Sequence, residues 1–193
     1  MRNHPKVRSP ANPLRPQAAY TLVELLVSLT VAGVLLALSV PSLNQMLQTQ
    51  KSISLLNSFV ASLHLARGEA IKRNARAVMC KSANGLSCSS DGGWEQGWIL
   101  FHDANNNAAF DEGEAVVLQQ GALAQGQRLT GNFQVANYVS YSASGSAKLI
   151  SGAWQAGTFT LCPPVLSSVE VRQIILSGTG RPRTQKASAS VCV

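Results

Sequence analysis

A chain of 193 residues has room for one domain with a buried core plus accessory segments. Its formal net charge of +7 is a poor guide to partners, because Arg2, Lys6, Arg8 and Arg15 all precede Tyr20 and no acid does; beyond them twelve basic and nine acidic side chains remain, so local clustering has to decide any polyanion partner. Four cysteines without a C-x-x-C pair and three histidines without an activating cysteine or serine partner offer neither a zinc site nor a nucleophile, so neither catalytic residues, a metal nor a cofactor is expected.

Residues 20–40 are apolar except for Thr21, Glu24, Ser28, Thr30 and Ser39. About 20 residues of helix cross a bilayer core, so the run is long enough to span. The basic residues before it place the N-terminus in the cytoplasm and the remainder across the membrane. A secretory signal would use Ala37-Leu38-Ser39 as its cleavage site, but the run is long for that and carries a carboxylate near its start. A plain anchor would make Thr21 and Glu24 a helix capping box. A third reading makes Glu24 functional. A charge in a spanning segment costs about 3 kcal/mol even on permissive scales, so it persists most cheaply beside an opposite charge. A cut between Ala19 and Tyr20 would create an α-ammonium group four residues away, best paired with Glu24 of a neighbouring subunit.

The stretch Ala19-Tyr20-Thr21-Leu22-Val23-Glu24-Leu25, with its short basic leader and apolar helix, resembles the type IV pilin superfamily. Ala19 stands where that family usually has glycine and Tyr20 where it usually has phenylalanine. Pro41, the 22nd residue from Tyr20, falls where such proteins often carry a kinking proline. The resemblance implies a leader over 1–19, cleavage by a prepilin peptidase between Ala19 and Tyr20, N-methylation of Tyr20, and Glu24 as an assembly contact. A membrane-spanning helix half over 20–41 follows from it.

After Pro41, where a kink is expected, Ile53, Leu56, Val60, Leu63, Ala66 and Ala70 recur at helical spacing and mark one buried stripe. The pattern predicts an amphipathic half over 42–76, with the helix ending near Asn74. Arg67, Lys72, Arg73 and Arg76 cluster at that end with only Glu69 between them. They read as a solvated helix terminus complementing its dipole, or as part of a polyanion surface. From Ala77 the pattern changes to strands at 77–81, 97–102, 114–119, 138–142, 157–162 and 169–176, with 82–93 and 121–132 as loops or weak strands. Short turns without intervening helices predict an α+β protein: a long N-terminal transmembrane helix packed on an antiparallel sheet or sandwich head over 77–193. An export-like N-terminus with Cys80, Cys88, Cys162 and Cys192 suggests two disulfides; three connectivities exist, and proximity favours Cys80–Cys88 with Cys162–Cys192.

Ala66-Arg67-Gly68-Glu69-Ala70-Ile71-Lys72-Arg73-Asn74, Gly93-Trp94, Gly97-Trp98-Ile99-Leu100-Phe101 and the Asp103–Glu114 loop resemble the head of GspH/FimT minor pilins and pseudopilins. In that loop Asp103, Asn105, Asn107, Asp111 and Glu114 match EF-hand positions 1, 3, 5, 9 and 12. The required glycine is Ala108 and no helix pair flanks the loop, so a hairpin turn is the expectation and calcium is not.

From Val171 onward there are four cations, Arg172, Arg181, Arg183 and Lys186, and no acid. Gly178 and Gly180 suggest a mobile basic segment over 177–187, and Pro182 biases Arg181 towards extended backbone, where residues two apart share a side. Both guanidinium groups would then face one phosphate backbone, giving affinity without sequence readout. No aromatic is interleaved, so base stacking is not expected. The alternative is a solvated turn before a last strand that Cys192 ties back. Gly180-Arg181-Pro182-Arg183 looks like the Gly-Arg-x-Arg motif of FimT-type minor pilins, which implies double-stranded DNA binding by Arg181 and Arg183 during natural transformation; Lys186 and Arg172 are added on charge alone. The same motif occurs in FimU-like pilus-tip subunits. The reading is a minor pilin, not an enzyme, that joins other minor and major pilins, starting in the bacterial inner membrane with its head in the periplasm and ending in the pilus. The alternatives are a GspH-like pseudopilin of type II secretion and a purely structural tip subunit.

Overall fold

The computed structural model describes residues 20–123, 126–164 and 170–192, without the side chains of 38–42, 44 and 45. The leader, with Ala19, and the expected strand residue Val169 lie outside that range. The chain divides into two compact units, Met1–Ser42 and Leu43–Val193. One helix, α1 (Leu22–Arg73), contributes residues to both.

In the first unit Thr21 caps α1. Its hydroxyl accepts the Glu24 amide at 3.3 Å and its carbonyl accepts the Leu25 amide at 3.2 Å. The box is only half closed, since the Glu24 carboxylate has no hydrogen bond or ion pair among the described residues. Ser28 and Thr30 return their hydroxyls to the carbonyls of Glu24 and Val27, at 2.7 and 2.8 Å, so their polar groups are met within the helix. The described apolar side chains from Leu22 to Leu36 are all exposed. Among the described residues no helix is long and apolar enough to cross a membrane. The end of the run expected to span, 20–41, falls on side chains outside the description.

In the second unit the buried stripe of α1 runs through Ser52, Leu56, Phe59, Leu63, Ala66 and Ala70. Phe59 sits at its centre, while the expected Ile53 and Val60 are half-buried at the flanks. The helix ends with Asn74 in the left-handed region, φ 49°. The Ala75 amide returns to Ala70 and the Asn74 amide to Ile71, each at 3.2 Å, a Schellman closure that satisfies the terminal carbonyls.

Eight strands follow: β1 (Ala77–Lys81), β2 (Trp98–His102), β3 (Val116–Gln120), β4 (Arg128–Gly131), β5 (Tyr138–Tyr141), β6 (Gly157–Cys162), β7 (Val171–Leu176) and β8 (Pro182–Ala187). They form two antiparallel four-stranded sheets, ordered β3-β2-β1-β5 and β4-β6-β7-β8. One core joins α1 to the inner faces of both. Phe59 meets Trp94, Trp98 and Phe159 edge-on at 5.3, 5.0 and 4.8 Å between ring centres. The two indole N–H groups donate to Val135 O (3.0 Å) and Ser62 Oγ (3.1 Å), so neither is buried without a partner. Strand β4 falls in the segment expected as a loop or weak strand, and β8 in the basic segment expected as a mobile tail or a turn before a last strand. Both are edge strands with little apolar content, and Pro182 sits at the first residue of β8, where no ladder donor is needed.

The outer face of the first sheet is covered as well. Val78, Cys80, Ile99 and Phe101 pack under Cys88, Ala108, Phe110 and Tyr138. This double burial is why β1 and β2 read as unbroken apolar runs. Disulfides join Cys80 to Cys88 and Cys162 to Cys192. Lys81 is buried beside the first of these, donating to Ser90 O (3.0 Å) and Gly92 O (2.8 Å). Burial holds its pKa below the usual lysine value, against the pull of Asp91 and Glu95.

The Asp103–Glu114 loop is closed by its own donors. Asp103 accepts the amides of Asn107 and Ala108, each at 3.0 Å, and Asp111 accepts the side-chain amides of Asn105 (2.8 Å) and Asn107 (2.7 Å). Asn106 and Ala108 take positive φ, as a turn of this kind requires. Those two side-chain amides hold the Asp111 carboxyl below its usual pKa. Among the described residues no group of three or more His, Cys, Asp or Glu is placed to hold a metal ion.

Candidate nucleic-acid interface

The basic segment near the C-terminus is not a loose tail. Residues 177–180 make a tight turn joining β7 to β8. The Gly180 amide donates to Ser177 O at 2.8 Å, and the Ser177 amide to Arg181 O at 3.3 Å. Gly180 has φ +79°, and a Cβ there would lie 2.2 Å from the Gly145 carbonyl oxygen, so only glycine lets the turn press against residue 145. The mobile segment expected from the two glycines is thus a hairpin.

The hairpin register sorts the four cations. Ile175 pairs with Arg183 and Gln173 with Gln185, which places Arg183 on the sheet's outer face; Gln185 donates to Gln173 there at 2.9 Å. Arg172 pairs with Lys186 on the opposite face, one residue out of phase. Both meet Glu170. Lys186 Nζ is 2.8 Å from one carboxylate oxygen and Arg172 Nη2 is 3.6 Å from the other. The Lys186 hydrogen bond holds the Glu170 carboxyl below its usual range, outweighing a small upward pull from burial. Glu170 lies one residue before the acid-free stretch, and it pairs with the two cations added on charge alone. Arg181 and Arg183 are exposed and make no ion pair among the described residues; Lys186 and Arg172 share one carboxylate, so that trio keeps a single net positive charge.

The cations at the end of α1 divide in the same way. Glu69, largely buried, takes Lys72 at 3.5 Å, Arg73 at 3.3 Å and His102 at 3.3 Å. Burial alone would raise its pKa, but the His102 hydrogen bond and the two cations outweigh it and hold the carboxyl below its usual value. Arg67 instead donates to Gly145 O at 2.9 Å, against the turn that holds Gly180. Arg76 donates to Asn106 Oδ1 (2.9 Å), Ser140 Oγ (2.5 Å) and Lys148 O (3.4 Å). These guanidinium groups fasten loops to the helix end while keeping their charge at the same pole as Arg181.

A small hairpin over 147–155, with Lys148 facing Trp154, completes that pole. The Ala147 amide donates to Gly178 O at 3.0 Å, tying the hairpin to the β7–β8 turn, and the Lys148 amide donates to Ser140 O at 3.0 Å. Lys148 Nζ lies 4.1 Å above the Trp154 ring centre. Sequence reasoning passed over both residues. Their one signal was a Ser151-Gly152 turn midway between them. It also passed over Arg128, which pairs with Cys162 on the outer face at the far edge of the second sheet. Tyr20 is exposed ahead of α1, and Glu24 is exposed in its first turn.

The arrangement can attract a polyanion and has no grouping suited to covalent or acid–base chemistry among the described residues. Residues 55–180 match the family model described as Type II transport protein GspH, and residues 14–40 match the one described as Prokaryotic N-terminal methylation motif. Among solved structures, the type IV minor pilin FimU of Pseudomonas aeruginosa (strain PAO1) is 17% identical, covering 74% of this chain and 90% of its own, with a TM-score of 0.47. The minor pseudopilin EpsH of the Vibrio cholerae type 2 secretion system is 14% identical, covering 70% of this chain and 97% of its own, with a TM-score of 0.49. No curated protein matches. The GspH model takes in well over half of the 193 residues, and so the chain belongs to the GspH family: it is a minor pilin or pseudopilin, a structural subunit rather than an enzyme, carrying the N-terminal motif for processing, membrane anchoring and assembly with other pilins.

Proposed function

We propose that this subunit is a minor pilin of the type IV pilus that also binds DNA for natural transformation. A prepilin peptidase cuts between Ala19 and Tyr20, and Tyr20 is then N-methylated. Residues 20–41 hold the chain in the inner membrane with the head in the periplasm until it joins the filament. The Glu24 carboxylate, which the half-closed cap leaves without a partner among the described residues, pairs with the new α-ammonium group of a neighbour.

The DNA reading rests on one observation. Arg181 and Arg183 stand exposed without an acid, while the other two cations of the same hairpin are paired with Glu170. Two guanidinium groups contacting phosphates give salt-sensitive, sequence-independent affinity. The full chain in detergent micelles is expected to shift duplex DNA, with log affinity falling as log salt rises. Arg181→Ala with Arg183→Ala lowers the magnitude of that slope by about two. Equal duplex binding by the parent and the double variant would sink the reading. The match to the Type II transport protein GspH family favours a second one, a GspH-like pseudopilin of type II secretion. Recovery of the chain with secretion pseudopilins rather than in sheared pili would select it.

A further inference from the structure

The fold brings to the arginine turn what the local sequence lacks, an exposed aromatic ring. Trp154 retains 58% of its surface, although Trp94 and Trp98 are fully buried. Its position is set from two sides. Lys148 lies over the ring at 4.1 Å. Gly178, without a side chain, lets the β7–β8 turn close on the Cβ–Cε3 side of the indole, where an added Cβ would stand 3.2 to 3.5 Å from the nearest atoms. The Ala147–Gly178 hydrogen bond fixes the two turns together. Arg181 lies three residues along that turn and Arg183 begins the outward row of β8. Neither they nor Lys148 has an acidic partner among the described residues.

An exposed indole costs solubility, so its place beside Lys148 and against the turn that leads to Arg181 and Arg183 points to a ligand with both a π-face and negative charge. Paired bases hide their faces inside the duplex, and a surface ring cannot reach them; unpaired bases offer theirs at every nucleotide. Resting on the DNA-binding reading above, we infer that Trp154 is a base-stacking platform. Lys148, Arg181 and Arg183 then track the backbone of single-stranded DNA, such as an unpaired end, and the pole holds single strands more tightly than duplex.

The test uses the full chain in detergent micelles with oligothymidylate and a duplex of equal length. Because Trp94 and Trp98 are buried, quenching of the solvent-exposed tryptophan emission on adding oligothymidylate reports Trp154 directly. Trp154→Ala is expected to weaken single-strand binding about five- to a hundred-fold and duplex binding less than about two-fold, and Trp154→Tyr to keep most of the single-strand affinity. Unchanged buried-tryptophan emission checks the fold of each variant. Unaltered single-strand affinity in Trp154→Ala, or equal losses for both DNA forms, would overturn the inference. Parent protein that binds duplex but not single strands overturns it while leaving the duplex reading intact. Parent protein that binds neither removes both.

Discussion

The outer faces of the two sheets have opposite fates. On the first, Val78, Cys80, Ile99 and Phe101 are roofed by a disulfide-tied loop and by Phe110, and nothing of them reaches solvent. On the second, Cys192 covers Cys162 and Val171 at one end, while the rest of the outward row, Thr158, Thr160, Gln173, Arg183 and Gln185, is half-buried or exposed. The difference teaches where each sheet keeps its information. The roofed sheet is specified by apolar packing, and the open one by edge chemistry and unpaired charge. The arginine turn grows from the edge of the second.

The largest expected contrast comes from truncating one side chain on each face. Phe101→Ala removes a fully buried ring that meets Phe110 edge-on at 5.2 Å and should cost about 3–5 kcal/mol. Ile175→Ala on the half-buried open face should cost about 1 kcal/mol. Urea unfolding of the full chain, followed by the emission of Trp94 and Trp98, measures both, and equal losses would erase the contrast. Next is Gly180→Ala. Its φ of +79° and the 2.2 Å approach to Gly145 O predict a loss of about 2 kcal/mol, with duplex affinity falling as the turn shifts.

The smallest effect sharpens the line between paired and unpaired cations. Glu170→Gln frees Lys186 and Arg172 and should tighten duplex binding about two-fold, read by fluorescence anisotropy. The native Glu170 carboxyl is held below its usual pKa, so its contribution to stability is present above the unfolded value of about 4.3 and is lost as pH falls through the lower folded value. The urea midpoints of parent and Glu170→Gln should therefore differ at neutral pH and converge in that acid window. A gap that persists at acid pH would mean the pair is not what separates them.

Much of this protein was legible in its sequence because the determinants are local. Helical spacing from Leu56 to Ala70 needs only near neighbours, and the helix stop at Asn74 is a matter of one left-handed residue. The strands β1 and β2 announce themselves by apolar runs and β6 by its Thr-Phe-Thr-Leu alternation, and Tyr20-Thr21-Leu22-Val23-Glu24 carries its meaning within five positions. The edge strands β4 and β8 stayed undecided between loop and strand because each buries so little that its sequence looks like a loop. The site was legible only in part. Arg181 and Arg183 stood out, but their difference from Lys186 and Arg172 is a difference of sheet face. That phase appears only once the 177–180 turn sets the register and brings Glu170 alongside. Trp154 and Lys148 reach the arginine turn through a single backbone bond between residues 147 and 178. A contact across thirty residues is settled by how two hairpins pack, and no local pattern encodes it.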